Sequence, residues 1–528
     1  MAISSRSTPE YSSRSRLQPA VAVWCLVMVS AACLLIVALY LWLSQCCFLT
    51  LFSTAALEGA EVAKHLCRGE GFASGFVTPM GLRLVPNALR HPSLFSPPLY
   101  SMLLALFFTV FGVGNTGVLL CAIALFLAQV ALLFLVSERL FGIRTAVLAT
   151  LMLMFNPLML KQTETGGMMV LPALLFSLLL CMVYCAEGRG IAGIAACGAA
   201  LGLCSLANPV FLVFVIPVGV YFLVTRSVSR WPNILAFLGG FLLLGGPWLI
   251  RDWVVTGSPF WGLRFLPGLV GPRQLVAFSV PSFGIRHLYS YRVALASLRS
   301  LPTYCWENLL MVLVVTAVLQ PLGDYGFEKI RKLFYAAFIS LWLFLGWGTR
   351  LASGRACYLI FLPFGCCVAA AYLVKLFQNF GEHRRPLYGF VMIGVLVLLP
   401  TDSWFMNPDG SSFTSGSIPA MVERFTKDEA IVTDLALPMA WCGDRHTILM
   451  PDEFYDYLEM LRTVKGIGAV YLSPELGEAL ENGVAESWEP VFSVAKKGGM
   501  PSNVGMRNGS APDGFFFYGP IPPPPSSD

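Results

Sequence analysis

The dominant pattern along the chain is a succession of apolar runs, separated by short loops that carry most of the charge. Runs at 19–44, 116–136, 145–160, 168–185, 191–206, 210–224, 234–250, 309–322, 334–347, 358–376 and 388–399 predict about 11 membrane spans. A twelfth apolar run, 98–111, is predicted to lie along the membrane surface. If it crossed, the basic loops at Arg139/Arg144, Arg189, Arg226/Arg230, Lys329/Arg331/Lys332 and Lys375/Arg384/Arg385 would fall opposite the basic N-terminus with its Arg6, Arg14 and Arg16. Laid flat, it leaves all of them on the cytoplasmic side, as the positive-inside rule requires. That parity sends 51–114, 161–167, 251–306, 349–357 and the C-terminal region to the other face.

The run at 19–44 is longer than the apolar part of a signal peptide, about 7–15 residues, and is read as an uncleaved first span behind a cytoplasmic tail, 1–18. The membrane domain then covers 19–400, with extracytoplasmic loops at 45–114 and 251–306. After Pro400 the pattern changes: 430–433 and 468–472 read as buried strands and 454–464 as a helix. A small extracytoplasmic α/β domain is therefore expected over 401–498, followed by a Pro/Gly-rich, disordered or polyproline-like tail, 499–528.

Composition agrees with this division. Hydrophobic residues are 56% of the chain and charged residues 12%, against about a quarter in ordinary soluble proteins, so the fold class is an α-helical polytopic membrane protein. The net charge of +5 is scattered at loop ends rather than clustered, which gives no nucleic-acid footprint. The 15 cysteines sit mostly in apolar runs, without metal-type pairs, and read as small buried hydrophobes.

Candidate chemistry concentrates in the first loop. Glu58 and Glu61 stand one turn apart on a predicted helix that Ser53 or Thr54 can cap and that Gly69 can end in a left-handed conformation. The stretch from Glu58 and Glu61 through Ala63-Lys64-His65-Leu66 to Gly69, Gly71 and Phe72 resembles the first extracytoplasmic loop of GT-C glycosyltransferases. This polytopic class includes the dolichyl-phosphate-mannose protein mannosyltransferases and the lipid A aminoarabinose transferase. Ser96-Pro97-Pro98-Leu99-Tyr100 looks like the family's Pro-Pro-Leu-Tyr element. The segment Gly246-Pro247-Trp248-Leu249-Ile250-Arg251-Asp252-Trp253, followed by Gly257-Ser258-Pro259, is similar to its Pro-Trp-x-x-Arg-Asn…Gly-x-Pro segment. Arg355 and Tyr358 before Leu362-Pro363 resemble a late Arg-Tyr…Pro motif, and Trp441-Cys442-Gly443-Asp444-Arg445 a motif of the C-terminal domain. One departure stands out: the family's usual Asp falls near Ala55, and the first-loop helix contains no Asp.

The resemblance implies a GT-C-like fold in a bacterial inner membrane and sugar transfer from a polyprenyl-phosphate donor to a glycan, lipid or protein acceptor on the extracytoplasmic face. Such transfer needs a carboxylate, as general base or as ligand of a divalent cation, and cations for the departing lipid phosphate. Glu58 or Glu61 would take the first role, Arg251 and Arg355 the second, and Lys161, Glu164, His91 and Tyr100 would line the substrate site. Two other classes stay open: a catalytically inactive protein of this fold that binds a partner, which the absent Asp favours, and a transporter, which the nearly charge-free span centres disfavour.

Overall fold

The computed structural model describes residues 54–89, 91–186, 190–225, 230–264, 325–348, 355–379, 429–451, 453–464, 466–472 and 515–518, with a few single positions between 313 and 322. It is a mostly helical, GT-C-like membrane fold joined to a small α/β unit. The expected spans 19–44 and 388–399, and most of 309–322, lie outside the described residues.

The first loop opens with helix α1 (Thr54–Cys67). Gly69 ends it at φ +77°, as expected of an exit that an L side chain would strain. Two-residue strands β1 (Ala73–Ser74) and β2 (Phe76–Val77) follow. Helix α2 (Pro79–Leu84) is capped by the Thr78 hydroxyl accepting from the Gly81 amide. Strand β3 (His91–Pro92) pairs antiparallel with β1. Helix α3 (Pro98–Phe111) is a short apolar helix.

The membrane part begins with α4 (Asn115–Phe141), whose 27 residues reach about 40 Å at 1.5 Å per residue. Helices α5 (Ile143–Met154) and α6 (Pro157–Glu164) form one bent path with a 56° break. Asn156 makes the break by capping α6 with its Oδ1, and Pro157 cannot donate to the preceding turn. Then come α7 (Val170–Ala186), α8 (Gly190–Ala207), α9 (Val215–Thr225), α10 (Arg230–Thr256), α11 (Tyr325–Gly348) and α12 (Leu362–Asn379). Among the described residues, four helices are long and apolar enough to cross a membrane, or five if the bent pair counts as one span.

Where hydrophobicity cannot drive helix against helix, close approach does. A Cβ added at Gly198 on α8 would stand 2.0 Å from the Phe237 carbonyl oxygen on α10, and one at Gly240 on α10 2.0 Å from that of Ala195. No side chain fits there, so the two backbones touch. Elsewhere the core is aromatic: Phe176 packs against Phe214 and Phe361 with ring centroids 5.5 and 5.0 Å apart.

The α/β unit contains β4 (Ala430–Thr433), α13 (Ala436–Gly443), β5 (Thr447–Leu449), α14 (Phe454–Thr463), β6 (Ile467–Leu472) and β7 (Phe515–Tyr518). Its sheet has the order β2-β5-β4-β6-β7, parallel except for β7. Two features extend the unit beyond 401–498. Strand β2 comes from the first loop, and Val77, Leu82 and Ala88 share a buried cluster with Val432, Ile448, Tyr457 and Val470. Strand β7 comes from within 499–528, where three phenylalanines and a tyrosine supply the β-propensity that the flanking Pro and Gly lack.

Candidate active site

Helix α1 carries a line of ionisable groups on the face it turns toward the α/β unit. Glu61 is 1% exposed; its Oε2 lies 2.7 Å from Lys64 Nζ and its Oε1 3.2 Å from His65 Nε2. These are i,i+3 and i,i+4 pairs, which a helix brings together by geometry alone. The buried Lys64 ammonium also donates to the Ala440 carbonyl at 3.0 Å, lies 3.1 Å from Asp444 Oδ1 and sits 5.7 Å from the Trp441 ring centroid. Arg68 closes the row with a fork onto Asp444, at 2.7 and 3.0 Å. On the other side of His65, its Nδ1 meets the Glu70 carboxylate.

The electrostatics follow from these contacts. Burial disfavours the charged His65 ring, but the Glu61 and Glu70 carboxylates outweigh it and raise its pKa. The hydrogen bond from His65 lowers that of Glu70 in return. Burial opposes ionisation of Asp444, yet Arg68 and Lys64 together hold its carboxyl well below the usual range. Gly75 packs against this row, since a Cβ there would stand 2.7 Å from Glu61 Oε1.

Glu58 is different. It is half-buried and, among the described residues, has no hydrogen-bond or ion-pair partner. Burial alone pushes its pKa up from 4.5 to about 7. One turn of helix thus separates an ion-paired carboxylate from one that has no partner among the described residues and a pKa of about 7.

The expected phosphate ligand Arg251 stands where three sequence motifs meet. Its Nη2 donates to the Ser93 carbonyl at 2.6 Å, its Nη1 to Asp252 Oδ1 at 3.1 Å, and its guanidinium lies 4.3 Å from the Trp248 and 5.3 Å from the Phe72 ring centroid. Phe72 and Trp248 meet edge-on at 4.8 Å. The crevice beside it is lined by Ser96, Pro98, Ser205, Trp248, Asp252 and Pro259.

Other expected site residues are placed less alike. Tyr100 is fully buried, donates to the Gly166 carbonyl, and packs where a Cβ on Gly59 would meet its ring at 2.7 Å. His91 is buried against Gly81, and burial lowers its pKa. Lys161 is exposed on α6 and Glu164 half-buried at its end. Arg355 opens a short 3-10 segment, Arg355–Phe361, and its side chain lies outside the described residues. Among the described residues, no group of three or more His, Cys, Asp or Glu is placed to hold a metal ion, and Glu61 is already engaged by two cationic groups. The donor set among the described residues does not fit a divalent cation.

Architecture and loop together describe a mostly helical protein with several long apolar helices, whose first-loop helix carries a row of ionisable groups. Residues 95–250 match the family model of dolichyl-phosphate-mannose-protein mannosyltransferases. The fold is similar to that of ArnT from Cupriavidus metallidurans bound to undecaprenyl phosphate, with a TM-score of 0.51 and 14% identity over 88% of this chain and 94% of that one. It is also similar to the oligosaccharyltransferase AglB from Archaeoglobus fulgidus in complex with an inhibitory peptide and a dolichol-phosphate, with a TM-score of 0.54 and 10% identity over 87% and 70%. At these identities the likeness speaks for the fold. No curated protein sequence matches the chain.

Sequence reasoning missed the roles of Lys64, His65, Arg68 and Asp444. The first three carried a signal, helical spacing from Glu61. Asp444 carried none pointing to α1, because it lies 376 residues from Arg68.

Proposed function

We propose that this chain is a membrane glycosyltransferase that moves a sugar from a polyprenyl-phosphate donor to an acceptor hydroxyl on the face where the first loop and the α/β unit lie. The observation that carries this reading is Glu58, a half-buried carboxyl with no partner among the described residues and a pKa of about 7. A group of that pKa takes a proton from an attacking hydroxyl near neutral pH, whereas a carboxylate at its ordinary pKa is a weak base there. Glu61 belongs to the scaffold of that base, since Lys64 and His65 occupy its oxygens. Arg251 uses two of five N–H donors within the protein and keeps the others for phosphate oxygens, with Arg355 as a second cation and exposed Lys161 as a third. His91 and Tyr100 shape the loop beneath. The neighbours solved with undecaprenyl phosphate and dolichol-phosphate support a lipid-phosphate donor, and the charge pattern supports an inner-membrane protein with its site outside.

One observation favours a second reading, a non-catalytic protein of the same fold: all four acidic and basic residues at 61–68 are spent on internal pairs, with no Asp upstream. Purified protein in lipid, given labelled polyprenyl-phosphate sugars and mixed glycan, lipid and peptide acceptors, separates the two. Transfer that Glu58→Gln abolishes is the expected result. Full-rate transfer by that variant would remove Glu58 from the reaction, and no transfer from any donor to any acceptor would favour the second reading.

A further inference from the structure

The segment around Trp441–Arg445 is not among the groups assigned to the reaction, yet it closes on the helix that bears Glu58. Two links reach the helix directly and two more hold its surroundings. The Lys64 ammonium, 3% exposed, is shared among Glu61, Asp444 and the Ala440 carbonyl. Arg68 forks onto Asp444. The Trp441 indole N–H donates to Asn115 Oδ1 at 2.8 Å, at the start of α4, and its ring lies 6.0 Å from Phe108. Strand β2, ten residues past the helix, pairs with β5, and the Thr447 amide donates to the Gly75 carbonyl at 2.7 Å.

Asp444 is central to this arrangement in two ways. Among the described residues, it is the one side chain that forms ion pairs with both Lys64 and Arg68. It also sits at φ +52°, a left-handed position that glycine occupies at lower cost. A residue with a Cβ at such a place is explained by what its side chain does. The carboxylate holds the outer side of a buried ammonium whose inner side holds Glu61, one turn along α1 from Glu58.

We propose that Asp444 is a positioning residue for transfer: through Lys64 and Glu61 it fixes α1, so that the C-terminal unit sets the placement of the Glu58 carboxyl. The inference rests on the reading of Glu58 as the reacting base.

Two variants of the full chain in lipid test it. Asp444→Asn keeps the size and the tolerance of a left-handed backbone and removes the charge. Asp444→Glu keeps the charge. The expected result for Asp444→Asn is a kcat about tenfold lower with donor KM within about twofold, faster amide exchange over 54–67, and recovery of both by Asp444→Glu. A merely stabilising contact would change thermal stability without that split. Unchanged kcat, a rise in KM alone, or a fall in kcat with α1 exchanging as before would each overturn the proposal. If the unsubstituted protein transfers nothing, the reading of Glu58 falls on its own, and unchanged exchange in Asp444→Asn still overturns the clasp.

Discussion

The two ends of helix α1 use the same residue type in opposite ways. At its C-terminal end Glu61 is buried with its charge compensated, and Lys64, His65 and Arg68 continue the compensation outward to Glu70 and Asp444. One turn earlier Glu58 has neither cation nor donor among the described residues, and burial raises its pKa to about 7. The helix therefore presents one carboxylate that organises structure and one that is energetically uncomfortable when charged. An ionisable group left without a partner on an otherwise well-satisfied element is a functional candidate on physical grounds. The first end is a clasp to the α/β unit; the second is where chemistry has room.

The sharpest way to break this contrast is to neutralise each carboxyl in turn. Glu58→Gln should lower transfer by about 100- to 10,000-fold, the range of a lost general base, while leaving thermal stability unchanged or slightly higher because an uncompensated buried acid is gone. Glu61→Gln should do the reverse in emphasis. It strips the buried Lys64 of its nearest counter-charge, leaving Asp444 and the Ala440 carbonyl, for a loss of about 1–3 kcal/mol of stability. Thermal unfolding and initial rates on both variants would show it; equal rate losses with equal stability losses would erase the distinction.

The contrast also has a pH signature. Glu58 must be deprotonated to act, so transfer should rise with pH and level off above about 7, as kcat/KM profiles would record. The clasp titrates the other way. The pKa of His65, which faces Glu61, Lys64, Glu70 and His446, is raised, so its stabilising charge is fully present below the ordinary imidazole range of about 6.5 and is lost as pH climbs through the higher folded value. Glu70 and Asp444, with lowered pKa values, lose their contribution only when pH falls below the usual carboxylate range. Amide protection over 54–67, taken relative to intrinsic exchange at each pH, should therefore fall as pH climbs above about 6.5 while transfer increases, and protection that holds or rises along with transfer would contradict the assignment.

Much of this was legible in the chain. Apolar runs marked the four long apolar helices among the described residues because a bilayer imposes length on a helix, Asn156-Pro157 marked the break, and Gly69 the end of α1. The clasp was not, for a physical reason. Strand β2 is two residues long, too short for periodicity, and its partner β5 lies some 370 residues later. The strand Phe515–Tyr518 was hidden by the Pro and Gly around it. Glu58 and Glu61 were indistinguishable in sequence, since what separates them is which neighbours fold back upon the helix. Tyr100 belonged to a recognisable element, but its hydroxyl turned out to bond the Gly166 carbonyl in the core, a destination no local pattern encodes.

The smallest effect concerns the outer link. Arg68 and Asp444 side chains are 42% and 45% exposed, so water and salt weaken their attraction even though the geometry is bidentate. Arg68→Lys keeps the charge and loses the fork, which should cost less than about 1 kcal/mol and leave kcat within about twofold. The asymmetry matters because Asp444→Asn touches the same bridge from the other side and additionally reaches buried Lys64. If charge at Asp444 acts through Lys64, the Asn variant must exceed the Arg68 variant in its effect on kcat and on exchange of α1, at every ionic strength. If the two variants match, and both effects vanish in high salt, the helix is held by the exposed pair and the buried row is packing alone.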